Sequence, residues 1–157
     1  MKPTLYMETT IPSYLTSRPS RDLIIAGHQQ ITREWGAKRK GAFDIFISQL
    51  VVDEARAGDL VAARERLEAV KNFPLLDITD EVEVLASRIL GSGVIPPKAA
   101  TDAAHIAIAA VHGIEFLMTW NCVHLANAVI AKAVAKVCGR HGFPCPAICT
   151  PEELWGE

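Results

Sequence analysis

A chain of 157 residues is long enough to bury one continuous core without a disulfide or structural metal, and short for two domains of ordinary size. Apolar residues make up 50% and charged residues 22%, which excludes a disordered chain, and a formal net charge of -2 excludes a global basic field, though not a site made positive by bound cations. No apolar run approaches the roughly 18 residues of a membrane span, and the opening MKPTLYMETT lacks the charge, apolar and cleavage pattern of a signal peptide, so a cytoplasmic protein with no membrane partner is expected.

Along the chain, apolar runs of strand length recur at Thr4-Leu5-Tyr6-Met7, Phe43 to Ile47, Leu75 to Ile78, Phe116 to Thr119 and Ala147 to Cys149. The segments between them carry helical spacing. Val123, Ala126, Ile130, Val134 and Val137 form one such stripe, with Lys132 and Lys136 placed away from it. The expected order is strand, helix, strand, helices, strand, helices, strand, helix, strand. Gly58-Asp59 separates two helical stretches, Thr79 and Asp80 can cap a helix, and Pro96-Pro97 ends one segment before the next begins.

Strands that alternate with helices imply parallel pairing, because a parallel connection must cross over and a helix is the usual crossover. The fold class is therefore α/β, three-layer α/β/α with a mostly parallel sheet of about five strands, in a single domain over residues 1–157. No repeat or linker interrupts it. The four cysteines, Cys122, Cys138, Cys145 and Cys149, are expected as reduced thiols. Their irregular spacing with His141, and the placing of Cys149 in a strand, argue against a zinc site.

In a parallel sheet, ligands bind beyond the carboxyl ends of the strands. Glu8 follows the first apolar run, and Asn121 follows the fourth. Glu54 lies past the second, early in a helix opening near Leu50, and Asp102 lies near the start of the helix leading to the fourth. Three carboxylates and an amide that converge are hard oxygen donors suited to Mg2+ or Mn2+. Carboxylates brought together repel, raising at least one pKa unless a cation intervenes.

The blocks YMETTIPSYL, SQLVVDEA, ATDAAHIAIA and LMTWNCVHL resemble, in order, the four signature blocks of the PIN domain family, a fold of metal-dependent ribonucleases that includes the toxins of VapBC-type toxin-antitoxin pairs. The resemblance covers nearly the whole chain, down to Thr150-Pro151-Glu152-Glu153-Leu154. It implies that Glu8, Glu54, Asp102 and Asn121 are the catalytic and metal-holding residues. Glu8 stands where the family commonly has Asp, and Asn121 where it often has Asp, which lowers the charge of a second ion site. The resemblance further implies roles for the hydroxyls of Thr9 or Thr10 in orienting Glu8 or a metal-bound water, and for Thr119, next to Asn121. The function it implies is a Mg2+- or Mn2+-dependent endoribonuclease of single-stranded RNA, with an antitoxin protein as partner and a homodimer as the assembly. The rival is a PIN-fold module that binds RNA or protein without cutting.

Each residue also has a plainer structural role. Asp102 suits the positive end of a helix, Glu54 a solvated surface, Glu8 a solvated loop and Asn121 a helix cap. His105, on the same helical face as Asp102, fits a packing histidine better than a ligand, and His124 fits either the substrate's vicinity or the surface. Arg18, Arg21, Arg33, Lys38, Arg39 and Lys40 outnumber Asp22 and Glu34 in the first helical region, as phosphate contacts, a solvated face or a docking surface would require.

Overall fold

The structure, a computed structural model, describes residues 1–156. Five strands, β1 (Thr4–Met7), β2 (Asp44–Ser48), β3 (Leu75–Leu76), β4 (Phe116–Met118) and β5 (Ala147–Cys149), form one sheet in the order β3-β2-β1-β4-β5. Every pairing is parallel, so the sheet is wholly rather than mostly parallel. Seven α-helices connect the strands: α1 (Thr10–Thr16), α2 (Leu23–Lys38), α3 (Gln49–Ala55), α4 (Leu60–Val70), α5 (Asp80–Gly91), α6 (Ala100–Val111) and α7 (Ala128–Arg140).

The strand order reverses direction once. From β1 the chain steps to β2 and then β3; from β3 it returns past β1 to reach β4 and β5. Right-handed crossovers then require α1 to α4 on one face of the sheet and α5 to α7 on the other. The packing agrees, since α1 touches α2 and α4 while α5 touches α6 and α7. Covered on both sides, β1 is apolar on both: Leu5, Tyr6 and Met7 are each 0% exposed. The reversal lies between β1 and β4, and their carboxyl ends form the crevice where such sheets bind ligands.

Local chemistry explains where elements depart from expectation. Two helices, not one, join β1 to β2. Pro19 disfavours helical backbone at Arg18, Ser17 leaves the helix extended, and Asp22 restarts it by accepting from the Ile24 and Ile25 amides. β3 keeps only two residues, following Pro74 at the edge of the sheet. α7 starts at Ala128, where the Asn127 side chain accepts from the Val129 and Ile130 amides, so Val123 and Ala126 lie outside the helix. Gly58, at φ 86, breaks α3 from α4, Asp59 caps α4, and Thr79 caps α5, as the punctuation implies.

α6 is rich in alanine, and its run from Ala103 through Ala110 is buried except at Ala104. Small side chains let its backbone approach the sheet and α5 closely, which carries Asp102 and His105 in against the carboxyl ends of the strands. Among the described residues, no helix is long and apolar enough to cross a membrane.

Candidate active site

Glu8 extends β1 by one residue, its amide donating to the Met118 carbonyl at 3.1 Å. Its side chain is 4% exposed, so its charge has to be met by protein donors. Glu8 Oε1 accepts from the Thr10 hydroxyl at 2.5 Å, the Thr119 hydroxyl at 2.8 Å and the Thr10 amide at 3.0 Å. Thr10 Oγ1 in turn accepts from the Trp120 amide at 2.8 Å, tying the start of α1 to the end of β4. Thr10 and Thr119 thus do the orienting; Thr9 faces another acid.

That acid is Glu54. It sits near the end of α3 rather than early in it, where the helix dipole disfavours a carboxylate. Two donors offset this: the Thr9 hydroxyl at 2.8 Å and His105 Nε2 at 2.6 Å, both on Oε1. Burial pushes the Glu54 carboxyl up, but the hydrogen bond from His105, the charge that ring carries when protonated, and the Thr9 bond outweigh it and hold the group below its ordinary value. Behind Glu54, His105 is fully buried, with Nδ1 2.7 Å from the Tyr6 hydroxyl, which lies 2.8 Å from Ser48 Oγ. Burial, with lesser help from the Glu8 and Glu54 charges against an opposing Ser48 bond, drives the Tyr6 hydroxyl well above its usual range.

Asp102 stands in the first turn of α6, with Oδ2 3.2 Å from His124 Nδ1. Asn121 closes a turn rather than capping a helix: its Oδ1 accepts from the Val123 amide at 3.2 Å and the His124 amide at 3.1 Å, while its own amide donates to Thr119 Oγ1 at 2.9 Å. The four sequence-designated residues therefore meet at one end of the sheet through intermediaries. From Glu8 the path runs through Thr119, Asn121 and His124 to Asp102; three residues on, His105 leads to Glu54, and Thr9 returns to Glu8.

Sequence reasoning passed over Tyr6 and Ser48, whose only signal was their place in strands, and took His105 for packing. Its spacing of three from Asp102 was the available clue. The basic stretch does not make one surface. Arg33 is engaged by the Ser17 carbonyl at 2.5 Å, and exposed Arg18 and Arg21 precede α2 while Lys38 and Lys40 lie at its far end, ~24 Å away along the helix.

Three carboxylates suit a hard divalent cation in kind. Among the described residues, Glu54 Oε2 and Asp102 Oδ1 accept no hydrogen bond, so each keeps an oxygen for an ion. Glu8 Oε1 and Asn121 Oδ1 are already taken by donors. Among the described residues, no three His, Cys, Asp or Glu side chains are gathered as a ready-made ion cage. The donor set fits a divalent cation in the kind of its oxygens, and Glu54 and Asp102 are the carboxylates that keep one oxygen free of hydrogen bonds.

No protein-family model and no curated protein matches the chain. Among solved structures, it is similar to a chain in the crystal structure of VapBC2 from Rickettsia felis bound to a DNA fragment from their promoter. The likeness covers 98% of this chain and 100% of that one, with a TM-score of 0.55 and 15% identity. Identity at that level speaks to the fold alone, and the fold is α/β/α of the PIN-like kind.

Proposed function

We propose that the chain is a PIN-type endoribonuclease that hydrolyses phosphodiester bonds in single-stranded RNA with Mg2+ or Mn2+, as the toxin of a toxin-antitoxin pair. One observation carries the reading: Glu8, Glu54 and Asp102, from three separate elements, lie at the end of the sheet where the strand order reverses, Glu8 and Asp102 joined by hydrogen bonds through Thr119, Asn121 and His124, and Glu54 bonded to His105 and Thr9, which are close in the chain to those two acids. When bound, Mg2+ or Mn2+ supplies a Lewis acid that acidifies water and offsets phosphate charge. Glu54 and Asp102 offer it their free oxygens, Glu8 contributes a buried negative charge at the end of β1, and Asn121 holds the turn after β4 on which His124 reaches Asp102.

An antitoxin and a second copy of the chain are the proposed protein partners. Leu23 and Ile24 at the start of α2, and Leu60 and Val61 at the start of α4, are large apolar side chains more than half exposed. Covering them would remove apolar surface from water.

A second reading, a PIN-fold module that binds RNA without cutting, is favoured by the Asn121 oxygen being spent on two backbone amides. Incubation of purified protein with unstructured RNA and Mn2+, alongside EDTA and Asp102→Ala controls, separates the two. Cleavage abolished by both controls supports the nuclease. Salt-dependent RNA binding with no cleavage in any divalent ion supports the binding module, and cleavage persisting in both controls marks a contaminant.

A further inference from the structure

We propose that His105 is a positioning residue, the last member of a Ser48–Tyr6–His105 relay that pins Glu54 by Oε1 and so keeps Oε2 free to hold a divalent ion; this rests on the nuclease reading above. The direction of the relay follows from its acceptor. A carboxylate oxygen 2.6 Å from His105 Nε2 requires a proton on that nitrogen, since two lone pairs at that distance repel. In the neutral ring Nδ1 is then an acceptor, so the Tyr6 hydroxyl at 2.7 Å donates to it, and the Tyr6 oxygen is left to accept from Ser48 Oγ at 2.8 Å. Each proton has one consistent place, and the chain of donors ends at Glu54.

The anchor of this relay is rigid. Tyr6 lies in the central strand and Ser48 closes β2, whereas Glu54 rides on α3, a helix of 7 residues with no side-chain cap at its start. His105 reaches it from α6, which packs on the opposite face of the sheet. Thr9 donates to the same Oε1, so among the described residues both donors fall on one oxygen and none on the other. A carboxylate held on one side only presents its remaining lone pairs in a fixed direction. Groups that orient a ligating side chain in this way are worth roughly 10- to 100-fold in metal affinity or activity.

The experiment compares wild type with His105→Ala, His105→Gln and Tyr6→Phe. Glutamine returns a donor N–H near the place of Nε2, and phenylalanine keeps the Tyr6 ring while removing the hydroxyl that donates to Nδ1. Mn2+ binding is read without RNA, from the electron paramagnetic resonance of the free ion, and kcat and KM are read separately on unstructured RNA. Circular dichroism and thermal melting establish that each variant is folded.

For His105→Ala, Mn2+ binding and kcat are expected to fall at least about tenfold with KM for RNA little changed, with Gln recovering most of the loss and Tyr6→Phe falling between. Folded His105→Gln and Tyr6→Phe proteins that bind Mn2+ and turn over alike, while His105→Ala is folded and equally tight, would overturn the proposal. Should His105→Ala not fold, the other two variants decide. Wild type that binds Mn2+ but cuts no RNA would defeat the nuclease reading while leaving positioning to be judged on the ion titration, and wild type that binds no Mn2+ would defeat the positioning role itself.

Discussion

The Tyr6 hydroxyl lies 2.7 Å from Nδ1 of His105, a residue 99 positions later in the chain, and that one hydrogen bond fastens α6 to the central strand. Both residues are 0% exposed, so neither group can turn to water if the bond is lost. Tyr6→Phe keeps the ring and its packing but leaves the Nδ1 acceptor unsatisfied. A loss of about 1–3 kcal/mol in stability is expected from urea unfolding, the cost of a buried polar group left without its partner. An unchanged midpoint would refute it.

Thr119→Val tests how the buried charge of Glu8 is met. Valine matches threonine in shape, but it removes one of the donors to Glu8 Oε1 and the acceptor for the Asn121 amide. Hydrogen bonds to charged groups are worth about 1.5–3 kcal/mol, and a loss of that order is expected by denaturant unfolding. Thr101→Val, at an exposed position on α6, is expected to stay within about 0.5 kcal/mol.

Acid stability depends on Glu54. Its folded pKa lies below the ordinary 4.5, so the native state binds fewer protons than the unfolded chain across that interval. The contribution is complete above the ordinary value and is lost as pH falls through the depressed one. In EDTA, the urea midpoint of wild type is therefore expected to drop more steeply below pH 4.5 than that of Glu54→Gln. Parallel curves for the two proteins would refute the assignment.

Ile106, next to His105 in α6, is fully buried in the hydrophobic core. Ile106→Ala is expected to cost about 2–5 kcal/mol, the transfer energy of the deleted atoms plus the cavity they leave. Val84→Ala, at a position 56% exposed on α5, is the control, with a change under about 0.5 kcal/mol. Calorimetric melting of both variants gives the comparison.

The alternation of apolar runs with helical spacing, and the turn residues between them, determined the class of the fold, because every strand of a sheet covered on both faces must be apolar on both. Acids placed just past apolar runs, at Glu8 and in the blocks holding Glu54 and Asp102, marked which end of that sheet carries charge. Tertiary structure alone decided what each acid meets. Thr119 serves Glu8 only because β4 lies beside β1 rather than beside β3, whereas Thr10 meets it from two residues on in the chain. His105 reaches Glu54, 51 residues earlier, only because α6 crosses to the carboxyl end of the sheet from the face opposite α3. Likewise the basic residues around α2, adjacent in the chain, are parted by the length of a helix. Hydrogen bonds of a few ångströms between distant residues depend on strand order and crossover hand, and these arise from how the whole chain packs, not from any local run of residues.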